Sequence, residues 1–152
     1  MQLSQKEKDL LKDMKDTESL CIEKYTKAAE YAHDPQLKQL CIHIAQIEQG
    51  HLDTLTKIES GQTPASSSGG SQSQQKPTFT ECYGAADTEE KKQDKYLAQD
   101  LLTTEKHASH LYDTCVFEFK DDSVRQQINH IQKEEQEHGK QLYDYMQKNS
   151  MY

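Results

Sequence analysis

Displaced by 87 residues, the sequence aligns on itself without a gap from about Lys8 to Leu55, and fourteen positions coincide. Among them are Leu10/Leu97, Asp13/Asp100, Thr17/Thr104, Glu18/Glu105, Tyr25/Tyr112, Asp34/Asp121, His43/His130, Ile44/Ile131, Glu48/Glu135, His51/His138 and Leu55/Leu142. This is an internal duplication, and each half is expected to fold alike.

Within each half the apolar residues step by three and four, the one-face pattern of a helix packed in a bundle. The first stripe runs Leu11, Met14, Glu18, Cys21, Tyr25, Ala28 and Ala32, and the second runs Leu37, Cys41, Ile44, Glu48, His51, Leu55 and Ile58. The other half repeats them as Ala98, Leu101, Glu105, Ala108, Tyr112, Cys115 and Phe119, then Val124, Ile128, Ile131, Glu135, His138, Leu142 and Tyr145. Breaks fall at His33-Asp34-Pro35 and Asp121-Asp122-Ser123, where Asp34 suits a helix N-cap, Pro35 the first helical position, and Asp121 or Asp122 the second cap. The pattern predicts an all-α chain of two antiparallel helical hairpins. With 33% hydrophobic residues, 29% charged, 6 Gly and 3 Pro, the composition agrees with polar-surfaced helices.

The hairpins are expected over residues 1–59 and 88–148, within one domain spanning 1–152. Between them, residues 60–87 begin with the low-complexity run SGQTPASSSGGSQSQQK, which reads as a flexible linker able to cross the length of a bundle. Near its end Phe79, Cys82 and Tyr83 are candidates for pinning the chain against the helices.

A formal net charge of −8 argues against a nucleic-acid backbone or an anionic membrane as partner, since both repel an acidic surface. No apolar run is long enough to span a bilayer, and the start MQLSQK lacks the apolar core of a signal peptide, so the expected location is the cytoplasm of the producing cell. The four cysteines, Cys21, Cys41, Cys82 and Cys115, form no C-x-x-C pair, and three fall on core stripes as small hydrophobes.

Six polar residues interrupt the stripes: Glu18, Glu48, His51, Glu105, Glu135 and His138. A carboxylate taken out of water without a partner is costly, and no Lys or Arg occupies these stripes to neutralise four of them. Glu18 lies 16 residues before Asp34 and Glu48 lies 14 after it. At about 1.5 Å per residue these are roughly 24 and 21 Å from the turn, one level of the bundle. Glu105 and Glu135 stand in the same relation to Asp121, so all six groups can share one mid-bundle layer. Glu-x-x-His places both side chains on one helix face, and two such pairs plus one Glu from each remaining helix make the donor set of the di-iron and di-manganese carboxylate bundles. Two iron or manganese ions would offset the four carboxylates. Resemblance to that class implies Glu48 and Glu135 as bridges, Glu18 and Glu105 as terminal ligands, and His51 and His138 as one cap each. Tyr25 and Tyr112 read as core tyrosines, His43 and His130 as helix-flank residues or as groups supporting the ligands from behind, and His107 and His110 as surface or flank residues.

The stretch Leu97 to Met146, with LLTTEKHASHLYDTCVFEF and INHIQKEEQEHGKQLYDYM, resembles the coat F domain of bacterial endospore coat proteins, over about a third of the chain. The first half resembles the same unit more weakly, through Glu18, Glu48-Gln49-Gly50-His51 and the surrounding periodicity. The resemblance implies a ferritin-like antiparallel four-helix bundle, synthesis during sporulation, deposition in the spore coat and other spore coat proteins as partners; a homodimer is a further expectation. It implies no reaction. Function then lies between a coat protein with a mainly structural or interaction role, and a di-iron or di-manganese redox enzyme of peroxidase, catalase or ferroxidase type. The surface Gln and Lys and the C-terminal Tyr143, Tyr145 and Tyr152 suit crosslinking in a coat.

Overall fold

The computed structural model describes residues 1–62 and 75–152. Most of the Ser/Gly/Gln run, residues 63–74, lies outside the described residues. Among the described residues are four helices: α1 (Gln5–Tyr31), α2 (Pro35–Glu59), α3 (Glu89–Val116) and α4 (Asp122–Lys148).

Each helix starts at a side-chain cap. Ser4 and Glu7 form a reciprocal capping box on α1, and Asp34 accepts from Gln36 N with Pro35 opening α2. Thr88 accepts from Lys91 N, and Asp121 accepts from Ser123 N and Val124 N. These bonds satisfy backbone donors that the first helical turn leaves free. Glu7 has a second duty: its other oxygen accepts Lys120 N at 3.0 Å, tying the start of α1 to the α3–α4 turn.

The helices pack as two hairpins, α1 on α2 and α3 on α4, with α1 also along α3 and α2 along α4. Tyr25 meets Glu105 and Glu18 meets Tyr112, so α1 and α3 run antiparallel. His51 meets Glu135 and Glu48 meets His138, which makes α2 and α4 antiparallel too. The result is an antiparallel four-helix bundle in which the hairpins mirror the sequence duplication. All 28 stripe residues are buried. Phe119 is reached differently from expected: α3 stops at Val116, and the side chain fills the core from the following turn.

The core comes in two apolar parts. One, with Ala28, Leu37, Ile44, Leu101 and Tyr145, lies toward the α1–α2 turn. The other, with Leu11, Leu55, Cys115, Phe119 and Ile128, lies toward the α3–α4 turn. The six polar stripe residues stand between them.

α2 ends beside Lys15 of α1, through the Lys15–Glu59 ion pair, whereas α3 starts beside the α1–α2 turn, where the Asp94 carboxylate accepts His33 N and Asp34 N. The described ends of the crossover therefore lie toward opposite ends of the bundle. The end leading into α3 is held firmly. Phe79 packs edge-on against Tyr145 with ring centroids 5.5 Å apart, and the Tyr83 hydroxyl donates to Asp94 at 2.7 Å. Asn149, fully buried at the end of α4, accepts Cys82 N and Tyr83 N through Oδ1. Of the three expected anchors, Phe79 and Tyr83 hold by side chain, while Cys82 is exposed and is held through its backbone N–H.

Two helix ends use a left-handed residue. After α2, Gly61 takes φ 82° and the 57–62 and 58–61 hydrogen bonds close a Schellman turn. After α4 the same turn is closed by Ser150 at φ 55°, with Met151 N donating to Met146 O at 2.8 Å. A side chain with Cβ is disfavoured there. Ser150→Gly should therefore raise stability by about 1 kcal/mol, read as a higher denaturant midpoint with an unchanged slope; an unchanged or lower midpoint would refute the strain assigned to this residue.

Candidate metal centre

The antiparallel pairing brings all six polar stripe residues into one layer at mid-height, each at most 4% exposed. They form two overlapping clusters, Glu18, Glu48, His51 and Glu135 on one side, and Glu48, Glu105, Glu135 and His138 on the other, each with donor atoms within 4.8 Å of one another. Glu48 and Glu135 belong to both clusters. The pairings are cross-hairpin: α2 and α4 supply the shared carboxyls and the imidazoles, and α1 and α3 supply the outer carboxyls.

Glu48 sits between the two rings, with Oε2 3.0 Å from His51 Nδ1 and Oε1 3.2 Å from His138 Nδ1. His51 Nδ1 is also 3.0 Å from Glu135 Oε1, and His138 Nδ1 is 3.5 Å from Glu105 Oε1. Both rings thus turn Nδ1 into the layer. The rings face each other at 6.1 Å and 25°.

Two tyrosines complete the layer from the neighbouring hairpin. Tyr25 Oη donates to Glu105 Oε1 at 2.5 Å, and Tyr112 Oη donates to Glu18 Oε1. Both were expected as plain core residues. A usable signal was present: each Tyr follows its stripe Glu by seven residues, and on antiparallel helices related by the duplication that offset sets each Tyr opposite the other helix's Glu. Each hydroxyl fixes one carboxylate oxygen and leaves the second facing inward.

Glu134 is the other residue that the stripe pattern did not single out. Its Oε1 is 3.6 Å from His51 Nε2 and 2.5 Å from His130 Nε2 at the surface. The repeat has Ile47 at the matching position, so His138 lacks such a neighbour. His130 is exposed and His43 half-buried, in keeping with helix-flank positions. Cys21 lies one turn from Glu18, and burial, reinforced by the surrounding carboxylates, pushes its thiol far up, so it stays protonated and unreactive.

The donor set fits a cation. Glu18 Oε2, Glu105 Oε2, both oxygens of Glu135, and Nε2 of His51 and His138 are buried without a hydrogen-bond partner. Among the described residues no Lys or Arg pairs with the four carboxylates; their only cationic neighbours are the two imidazoles. Burial pushes the Glu48 and Glu135 carboxyls up, and the adjacent Glu18 and Glu105 add to this. Burial also acts on Glu105, but the neighbouring Glu135 and His138 and the Tyr25 hydroxyl outweigh it and lower that carboxyl. For His51 burial favours the neutral ring, yet contact with Glu134, Glu135, Glu18 and Glu48 raises it strongly. Four carboxyls this close cannot all ionise unless positive charge joins them.

The protonation pattern sets how the metal-free chain responds to pH. Unfolded, Glu48 loses its proton in the ordinary carboxylate range; folded, it keeps it up to about 9. Between those limits the folded chain binds more protons than the unfolded one, so stability falls as pH rises. Glu135 and His51 act with the same sign, and Glu105 acts oppositely only at acid pH. The metal-free protein should melt at a lower temperature near about pH 8.5 than near about pH 5.5, and Glu48→Gln should flatten that difference. A melting temperature that climbs across this range would contradict the assignment.

Among the described residues no helix is long and apolar enough to cross a membrane. Residues 93–152, which comprise most of α3, all of α4 and the chain's end, match the Coat F domain. No curated protein and no solved structure matches the chain. Over the second hairpin, which supplies Glu105, Glu135 and His138, this chain is similar to the Coat F domain.

Proposed function

We propose that residues 1–152 form one ferritin-like domain of the spore coat whose mid-bundle layer holds two iron or manganese ions, with a mainly structural or interaction role. The observation that carries this reading is the pair of overlapping donor clusters sharing Glu48 and Glu135, four buried carboxylates that no lysine or arginine among the described residues neutralises. Glu18 and His51 would complete one ion's ligands and Glu105 and His138 the other's. All four helices contribute, so occupancy would tie the hairpins together through the middle of the core and remove the cost of crowding four carboxyls.

The Coat F match supports deposition beside other coat proteins. Tyr96 and Tyr152, 69% and 71% exposed, are open for contact or crosslinking there. Tyr145 is not: it is fully buried and its hydroxyl donates to Asp34 at 2.9 Å.

A redox role is the second reading, and the coordination supports it. Each cluster offers four residues, fewer than the about six donors that octahedral oxygen sites use, which leaves room for a small oxidant. Redox-active ions bound there would supply electron transfer to peroxide or oxidation of ferrous iron. Without a C-x-x-C pair, reducing equivalents for a peroxidase would come from outside the chain.

Metal analysis of the purified chain tests the first reading: about two ions per chain, lost in Glu48→Ala and in His138→Ala. A metal-free native protein that also fails to take up added iron or manganese would end it. Peroxide consumption separates the second: the loaded chain should exceed Glu135→Ala at least about tenfold, the scale of losing one essential ligand, and equal rates would leave only the structural role.

A further inference from the structure

Two surface clefts flank the layer, one over each hairpin, and the duplication allows them to be compared position by position. The cleft over α3 and α4 has a volume of about 480 Å³, and its walls include Ser109, Gln132 and Gly139 together with the buried carboxyls Glu105 and Glu135. The cleft over α1 and α2, about 600 Å³, is walled by Ile22 and Ala45, the counterparts of Ser109 and Gln132, and touches neither Glu18 nor Glu48. One cleft reaches the layer; the other stops short.

The side chains explain the difference. Where the second hairpin has Ser109, Gln132 and Gly139, the first has Ile22, Ala45 and Leu52. Ser109 and Gln132 lie one turn from Glu105 and Glu135, and a single long hydrogen bond, Gln132 Nε2 to Ser109 Oγ at 3.4 Å, spans the seam there. At Gly139 an added Cβ would come into van der Waals contact with Leu102 Cδ1 at 3.5 Å, and both residues line the cleft, so a leucine there would crowd its wall. Beyond the seam lie both oxygens of Glu135 and Oε2 of Glu105, buried and without hydrogen-bond partners.

We propose that the α3–α4 cleft is the port through which divalent cations enter the layer, and that Ile22, Ala45 and Leu52 close the equivalent path through α1 and α2. This rests on the metal reading above. A hydrated cation shedding water needs replacement oxygens along its path, and the Ser109 hydroxyl and Gln132 amide supply them before the Glu105 and Glu135 carboxylates do. The aliphatic counterparts in the first hairpin supply none.

Uptake of cobalt(II) by the full chain, followed in time through its visible absorption, tests the port. Ser109→Ile and Gly139→Leu each introduce the first hairpin's residue and should slow loading at least about tenfold, as expected when entry requires a local opening of packed helices, with the final cobalt per chain unchanged. Ile22→Ser, on the closed side, should not slow it. Either seam variant, folded by circular dichroism and loading at the unaltered rate, would overturn the port, as would an equal slowing by Ile22→Ser. If the unaltered chain takes up no cobalt, the metal reading fails and the port with it; equal rates in a chain that does fill remove the port alone.

Discussion

Four carboxylates share the middle of a core with two imidazoles and no other cationic neighbour among the described residues. Ionised and alone, such groups would repel one another across a few ångströms in a medium that screens poorly. The surrounding structure meets this in parts. Tyr25 and Tyr112 each donate to an outer carboxylate, the imidazoles present Nδ1 to the inner ones, and Glu48 and Glu135 are pushed toward their neutral forms. The two apolar parts of the core, one toward each turn, hold the layer in place from above and below.

The duplication makes the layer nearly symmetric, and its departures from symmetry lie around the layer rather than in it. Ligand-type residues and their tyrosines repeat, whereas Glu134 faces the position of Ile47, Ser109 that of Ile22, and Gly139 that of Leu52. The two sides therefore present the same donors in different surroundings: a carboxylate behind His51 but none at the matching place behind His138, and, of the two clefts, the one over α3 and α4 reaches the layer while the one over α1 and α2 does not.

The Coat F match covers the hairpin that holds Glu105, Glu135 and His138. That hairpin alone carries half of the six-residue set, and neither donor cluster can be completed from it, because each draws on Glu48 of the first hairpin. What the chain adds to the matched region is a second, diverged hairpin that supplies the missing half and is joined through the crossover anchored by Tyr83 and Asn149.

Much of the fold was legible in the sequence because helix periodicity and duplication are local or one-dimensional signals. The step of three and four marked every buried stripe position, Asp34, Pro35 and Asp121 marked two helix starts, and equal distances from the turns placed the six polar residues at one height. Tertiary structure decided what depends on partners far away in the chain. The tyrosine hydroxyls find carboxylates only across the α1–α3 pairing, Glu134 meets His51 only once α2 lies along α4, and Tyr145 is withdrawn from the surface by Asp34. Periodicity says which face a residue occupies; which atom it meets, and on which side the layer opens, follows only from how the hairpins pack.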